Sequence, residues 1–170
     1  MNRRTFVMSR DLDFFTPEAL SRQIGHDSDN WAIALTKELI DNALDACESS
    51  GTAPDIHVDL REGEISVIDN GPGLPDHVIE KALDYGVRVS DKTAYVSPSR
   101  GQQGNALKAI FAAPCVLSEN GTGVVNIDSL GKHRTIEVRI DPIAQCPNIT
   151  LSEMPGFVKN GTSVSIDSFV

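Results

Sequence analysis

The chain has 170 residues, of which 40% are hydrophobic and 23% charged, and its formal net charge is −9 at pH 7. This length fits a single domain or a domain cut from a longer protein, and this balance excludes a largely disordered chain. No apolar run is long enough to cross a membrane, and the acidic charge argues against strong, direct nucleic-acid binding, which depends on clustered lysine and arginine.

The cysteines and the N-terminus indicate a cytoplasmic protein. Cys47, Cys115 and Cys146 are widely spaced and show no metal-ligand pattern, so reduced thiols are expected. The basic start of the chain leads to Asp11 rather than to an apolar stretch, which argues against a signal peptide.

The first predicted elements are an arm and a short helix. Residues 1–16 are predicted to form an N-terminal arm, and residues 17–170 one domain. Thr16 followed by Pro17 is typical of a helix start, with an N-cap and a proline at the first helical position, and predicts a helix over 17–24.

A long helix is predicted over 31–50, and Gly51 is the expected stop. At about 100° per residue one side collects apolar residues. The residues expected on that side are Ile33, Ile40, Ala43, Leu44 and Cys47. Glu38, Asn42 and Asp45 are expected to cluster on the opposite side.

The rest of the chain predicts mainly strands. The expected elements are strands 56–60 and 65–68 joined by a turn at Glu62-Gly63, a helix over 75–83, a loop over 87–100, a short helix over 105–111, and strands 115–118, 124–129, 135–140, 149–151 and 163–166. Helices come early and strands late, which predicts an α+β fold: a two-layer sandwich of helices on one face of a mixed β-sheet.

The first motif is the segment Glu38-Leu-Ile-Asp-Asn42-Ala-Leu-Asp45-Ala46. A carboxylate and an amide one helical turn apart can serve one small site, because an amide oxygen suits Mg²⁺ and a carboxylate can orient or deprotonate a water. On spacing alone, the polar face of a surface helix is the simpler explanation of these residues.

The second motif, Asp69-Asn-Gly71-Pro-Gly73, directly follows a predicted strand. It offers one carboxylate acceptor and a backbone that a flat ligand can approach closely. Because these residues all favour turns, an ordinary turn remains an alternative interpretation.

The third motif runs from Arg100 to Lys108, with Gly101 and Gly104 before a predicted helix. Backbone N–H groups at a helix start can hold phosphate, and Lys108 would add a cation. A lone Gly-x-x-Gly is weak evidence, and the sequence has neither the GxxxxGK[ST] pattern of a P-loop nor GxGxxG.

In this order and spacing the three motifs resemble those of the GHKL superfamily, which includes gyrase-type ATPases, a heat-shock chaperone, sensor histidine kinases and MutL. The resemblance covers about residues 31–166. It implies a Bergerat-type ATP-binding fold, ATP and Mg²⁺ as ligands, and ATPase activity.

The resemblance also implies residue roles. Glu38 matches the general base for the hydrolytic water, Asn42 the Mg²⁺ ligand, and Asp69 the acceptor for the adenine amino group. Thr162, after Gly161, matches a threonine whose hydroxyl supports that aspartate. The remaining residues expected at ATP are Asp45, Ala46, Gly71, Gly73, Leu74, Gly101, Gln102, Gln103, Gly104, Asn105, Ala106, Leu107 and Lys108.

Within the superfamily the motifs look most like those of the B subunit of topoisomerase VI, with MutL second. Ser90-Asp91-Lys92 resembles part of the topoisomerase ATP lid, so Asp91 and Lys92 are further candidates for nucleotide contact, although a solvated loop explains them as well. Ala106 departs from the topoisomerase pattern, which has a third glycine there. The implied partners are a second copy bound in an ATP-dependent way and a separate DNA-handling protein.

Two other functions remain open: a histidine-kinase-type catalytic domain, and a regulatory nucleotide-binding module without turnover. Topoisomerase and MutL families carry a catalytic lysine in a following domain. Hydrolysis by this chain alone is therefore a separate question from binding.

Overall fold

The computed structural model describes residues 14–85, 103–143 and 146–169, with backbone alone for 103–105 and 168–169. Its elements are α1 (Pro17–Ile24), a 3₁₀ turn (Ser28–Asn30), α2 (Trp31–Ser50), β1 (Ile56–Arg61), β2 (Gly63–Asp69), α3 (Asp76–Leu83), α4 (Gln103–Leu117), β3 (Thr122–Ser129), β4 (Lys132–Ile140), β5 (Pro147–Pro155) and β6 (Thr162–Phe169). None of the helices in these ranges is both long enough and apolar enough to span a bilayer.

The six strands form one sheet in the order β1-β2-β6-β3-β4-β5. The α+β fold is confirmed, but every strand pair in the described ranges is antiparallel, so the expected mixed sheet is wrong in that detail. Strands β2 and β3 run in the same direction, so they would form a parallel pair if they were neighbours. Instead β6 inserts between them and runs the opposite way.

The helices cover one face of the sheet, and the core lies between the two layers. The inward residues of β2, β3, β4 and β6 alternate with exposed or half-buried ones, as a sheet with one covered face requires. Helix α4 is the centre of this layer: side chains from Leu107 to Cys115 are buried all round it.

The expected strand over 115–118 is wrong, because α4 continues to Leu117. A continuous apolar run does not distinguish a buried helix from a buried strand by periodicity, and Pro114 lies inside this helix although proline is disfavoured in a helix interior. The next strand packs tightly against this helix end. A β-carbon at Gly123 would lie 2.2 Å from the backbone nitrogen of Cys115.

The expected orientation of α2 is correct for Ala43 and Cys47, which are buried, and wrong for Ile33 and Leu44. Ile33 is 73% exposed and Leu44 38% exposed, whereas Leu35 and Leu39 are buried. The helix is therefore rotated so that Asn42 faces the interior with its apolar neighbours. Hydrophobic periodicity misses this orientation because the inward face itself carries polar residues.

The start of the described chain packs into the core. Phe14 and Phe15 are buried, and their rings lie 5.3 and 4.8 Å from the ring of Tyr85, edge to face. Helix α1 follows as expected, with the Thr16 hydroxyl oxygen accepting a hydrogen bond from the Ala19 N–H at 3.2 Å.

Candidate functional site

A cavity of about 260 Å³ lies where α2 and α4 cover one end of the sheet. Residues lining it are Leu39, Asn42, Ala43, Ala46, Ser49, Val67, Asp69, Pro72, Gly73, Leu74, Pro75, Val78, Leu107, Thr162 and Val164. Most of this lining is apolar, with a few convergent polar groups, which is typical of a small-molecule site. The volume is just below the roughly 300–1,000 Å³ usual for such sites, so the cavity fits one flat ring system better than a whole nucleotide.

Asp69 is the half-buried carboxylate of this cavity. Burial raises the pKa of Asp69 above its usual value, and hydrogen bonds from the backbone N–H groups of Gly71 and Thr162 partly oppose that rise. The Gly71 N–H lies 2.8 Å from Asp69 Oδ1. Because this bond comes from backbone two residues along the chain, it restricts the orientation of the carboxylate.

Thr162 lines the cavity, but its support for Asp69 comes from the backbone N–H and not from the expected hydroxyl. The Thr162 hydroxyl lies 3.5 Å from Ser129 Oγ instead. Thr162 also pairs directly with Asp69 in the ladder between β2 and β6, which fixes this arrangement through the sheet register.

Position 161 requires a glycine, because the backbone of Asp69 lies very close to it. Gly161 has φ +82°, and a β-carbon there would lie 2.0 Å from the carbonyl oxygen of Asp69. The Gly161 N–H donates to the carbonyl oxygen of Gly71 at 2.9 Å. The turn before β6 is thus tied to the glycine loop after β2.

Ser129 and Leu130, at the turn between β3 and β4, support that loop from behind. The Leu74 N–H donates to Ser129 Oγ at 2.8 Å, and the Ser129 hydroxyl donates to the carbonyl oxygen of Gly161 at 3.1 Å. Leu130 has φ +54°, a left-handed conformation that costs a non-glycine residue roughly 1–2 kcal/mol. Sequence analysis missed both residues. The available signal was a two-residue hairpin turn, Leu130-Gly131, without the usual Asn-Gly.

Asn42 lies on α2 at the cavity, and its amide is available to a ligand. Asn42 Nδ2 is buried and has no hydrogen-bond partner among the described residues. A buried amide left without a protein partner carries a desolvation cost that a bound ligand or ion can offset. Since an Asn side chain can turn by 180°, the same position can present its oxygen.

Glu38 lies one helical turn before Asn42, is half-buried and does not line the cavity. Asp45 lies one turn after Asn42 and is half-buried, whereas Ala46 lines the cavity. The structure therefore brings Asn42, Ala46 and Asp69 together at the cavity and leaves Glu38 outside its lining, one turn along α2.

Lys108, which is predicted to contact a ligand phosphate, is not among the residues that line the cavity. Lys108 is only 3% exposed, and its ammonium donates to the carbonyl oxygens of Asp84 and, at 3.5 Å, of Lys81. It also lies 4.8 Å from the centre of the Tyr85 ring. Helical geometry turns Lys108 toward the end of α3, one position after Leu107, which lines the cavity.

The other predicted residues have mixed outcomes. Gly73, Leu74 and Leu107 line the cavity. Gly71 does not line it, but its N–H donates a hydrogen bond to Asp69, which does. Gln103, Gly104 and Asn105 form the first turn of α4, followed by the half-buried Ala106. Asp91, Lys92, Gly101 and Gln102 lie outside the described residues.

The family of the chain follows from comparison with known proteins. Residues 29–144 match the family described as histidine kinase-, DNA gyrase B- and HSP90-like ATPase. The chain belongs to the GHKL ATPase family. The matched span contains the helix motif, the Asp69 loop and α4.

Curated relatives of this GHKL domain agree. It is 31% identical over 144 residues to the B subunit of type 2 DNA topoisomerase 6 from Archaeoglobus fulgidus, covering 79% of this chain and 23% of the relative. It is 35% identical over 161 residues to the corresponding protein of Methanococcoides burtonii, covering 86% of this chain and 25% of the relative. The chain thus spans about a quarter of the length of these relatives.

A solved structure, the N-terminal domain of a DNA repair protein, overlaps with a TM-score of 0.47 at 21% identity, covering 79% of this chain and 34% of that one. The family assignment rests on the sequence matches.

Proposed function

We propose that this GHKL domain binds Mg-ATP, with adenine in the cavity at Asp69 and the phosphates directed toward the start of α4. The observation that carries the proposal is the half-buried Asp69 carboxylate, which accepts a hydrogen bond from the Gly71 N–H in a mostly apolar cavity. A carboxylate held in this way accepts a hydrogen bond from an exocyclic amino group, and the apolar lining suits the faces of a flat base.

The phosphates need a second environment, because the cavity fits the base alone. Helix α4 reaches the cavity through Leu107, and α2 reaches it through Asn42. The N-terminus of a helix attracts phosphate through its free N–H groups and its dipole. The 15-residue helix α4 begins at Gln103, within the predicted phosphate loop.

The residues present fit a magnesium ion carried by the nucleotide. Asn42 would hold it through its amide oxygen, which a 180° turn of the side chain would bring to the place of the unpartnered nitrogen. When bound, Mg²⁺ offsets phosphate charge and polarises the phosphoryl group. The protein's own part is to orient the nucleotide at Asp69 and to hold the base against the mostly apolar cavity wall.

For ATP hydrolysis we propose Glu38 as the group that orients an attacking water and accepts its proton. Glu38 is half-buried on α2, one turn from Asn42. A general base must come within hydrogen-bond reach of its water when the substrate is bound, so this position suits a water beyond the terminal phosphate.

The domain is further proposed to act as part of a larger assembly that handles DNA and to dimerise when ATP binds. The relatives are B subunits of a DNA topoisomerase and are about four times longer than this chain. The net charge of −9 makes a separate DNA-binding partner or domain more suitable than this one for contacting DNA.

Calorimetric titration with a non-hydrolysable ATP analogue and Mg²⁺ tests binding. The wild type should bind, and Asp69→Asn should weaken affinity at least about tenfold, because the amide presents a weaker acceptor. Asp59→Asn is the matched control: Asp59 is an exposed aspartate on β1, paired with Arg61. Equal affinities in wild type and Asp69→Asn would refute the adenine assignment.

Hydrolysis is tested separately with Glu38→Gln in a form of the protein that turns over ATP. Loss of at least about a hundredfold in rate with unchanged analogue affinity is expected for a general base. A Glu38→Gln variant as fast as wild type would remove Glu38 from the mechanism but leave the binding proposal standing.

A further inference from the structure

We infer that Leu130, at the tip of the β3–β4 hairpin, is a positioning residue that holds the Gly71–Leu74 loop in place against the cavity. The identity of the ligand in this inference rests on the proposed function, whereas the contact between Leu130 and the loop does not. Leu130 is absent from the cavity lining and 45% exposed, so it acts through Gly73 and not by touching the ligand.

The first observation is that a leucine stands where the backbone disfavours it. Leu130 and Gly131 have φ values of +54° and +73°, the pattern of a two-residue hairpin turn for which Asn-Gly is the usual choice. Leu130 is the single non-glycine residue with positive φ within residues 14–85, 103–143 and 146–169. Strained residues of this kind cluster at functional sites. Since the side chain is half exposed, burial in the core does not explain the choice of leucine.

The second observation is what the leucine touches. A β-carbon at Gly73 would lie 2.6 Å from Leu130 Cδ2 and 2.8 Å from Leu130 Cγ. The leucine side chain therefore occupies the space beside the Gly73 Cα that any other residue would need. Gly73 itself lines the cavity with φ +94°, so its position sets part of the cavity wall.

The third observation is that the hairpin tip is held by groups outside the loop. The Gly131 N–H donates to the carbonyl oxygen of Val158 at 2.7 Å, and the Gly156 N–H donates to the carbonyl oxygen of Gly131 at 2.9 Å. The buried Arg134 donates to the carbonyl oxygen of Ser129 at 3.3 Å. These hydrogen bonds fix the hairpin tip and therefore Leu130. We infer that the contact with Leu130 in turn restricts the position of the Gly71–Leu74 loop.

The hydroxyl of Ser129 and the side chain of Leu130 then act on adjacent loop residues. Ser129 Oγ accepts from the Leu74 N–H, while Leu130 packs on Gly73. Removing the leucine side chain should let Gly73 move into the freed space and lengthen the bond between Leu74 and Ser129. The turn itself should not suffer, because asparagine suits a left-handed position better than leucine.

The test compares Leu130→Asn with the conservative Leu130→Met and with Leu60→Asn as a control. Leu60 is a 61% exposed leucine on β1, at the other end of the sheet. The first readout is ligand-free: hydrogen exchange of the Leu74 amide, followed by NMR. Exchange should accelerate about tenfold or more in Leu130→Asn and remain near wild type in the other two variants, with no loss of melting temperature.

The second readout is Mg-ATP analogue affinity, expected to fall about tenfold in Leu130→Asn and to be kept in Leu130→Met. Unchanged Leu74 exchange in Leu130→Asn, or affinity equal to wild type, would overturn the inference. A wild type that does not bind the analogue would instead refute the proposed function. The exchange result would still decide whether Leu130 positions the loop.

Discussion

The two ends of the sheet differ in how their polar and apolar groups are placed. At the end formed by Asp69, Ser129 and Thr162, a carboxylate is half-buried and glycine backbone is packed without spare room. At the other end, beside the β1–β2 turn, Leu60 and Ile33 are exposed and border an open groove. Buried polar groups and backbone strain both lower stability, so their concentration at one end indicates that this end is shaped for a ligand.

The largest expected difference in unfolding free energy is between alanine substitutions at two glycines that have nearly the same backbone conformation. Gly161 and Gly25 have φ values of +82° and +80°, but of the two only Gly161 has backbone within reach of an added β-carbon. Gly161→Ala should cost roughly 2–5 kcal/mol of unfolding free energy, from strain plus overpacking, and Gly25→Ala about 1–2 kcal/mol from strain alone. Urea unfolding measures both. Equal costs would mean that the site end is no more crowded than an ordinary helix end.

The next largest effect on stability is expected from the ion pairs of Arg134, beside the β3–β4 hairpin. Arg134 is 1% exposed and donates to Asp76, Glu153 and the Ser129 carbonyl. Arg134→Ala should cost about 2–4 kcal/mol, because it leaves a buried space and unpaired acceptors.

Arg139→Ala provides the comparison for that variant. Arg139 is an exposed arginine on the same strand, paired with Glu137, and its removal should cost less than about 0.5 kcal/mol. Thermal and urea unfolding compare the two arginine variants. If Arg134→Ala were as mild as Arg139→Ala, the hairpin would not depend on this cluster.

A pH effect of intermediate size is expected at Asp69. Because its pKa is raised in the folded state, the stability associated with its protonated form is present at low pH and lost as pH rises through the folded pKa. Asp69→Asn should therefore be more stable than wild type near neutral pH, with an advantage that shrinks on acidification. Melting temperatures across that range measure it. A constant difference would show that Asp69 is not desolvated.

The smallest expected effect is on nucleotide affinity when Lys108 is replaced. Lys108→Met removes an ammonium that is bonded to the end of α3, away from the cavity. Analogue affinity should stay within about threefold of wild type, since no phosphate contact is lost. A loss above tenfold, with the melting temperature kept, would place the ammonium at the phosphates after all.

Much of the fold was predictable, because local signals agree with it. Thr16-Pro17 and Gly51 mark helix ends where the structure has them, and Glu62-Gly63 lies at the β1–β2 turn. The antiparallel arrangement was not predictable, because it depends on β6 entering between β2 and β3 from the end of the chain. The continuation of α4 past Pro114 was missed because a helix buried all round has no polar face to show its period.

The cavity lining was predictable where a residue carries recognisable chemistry, and residues that act only on another part of the backbone were not predictable. Asp69, Gly73 and Asn42 carry recognisable chemistry and line the cavity. Ser129 and Leu130 act through hydrogen bonds and packing across more than 50 residues of sequence, which only the sheet register brings together. The burial of Lys108 was not predictable, because one helical position separates Leu107, which lines the cavity, from Lys108, which is buried beside α3.

The most direct test of the central claim is a map of backbone amide NMR shifts on adding Mg-ADP to the wild-type chain. We predict the largest changes at Asn42, Gly71 and Leu74, at the site end of the sheet, with Arg61 and Gly63 at the opposite end unchanged. Changes centred on Leu60 and Ile33, or none in a folded sample at saturating nucleotide, would contradict the placement of the nucleotide at Asp69.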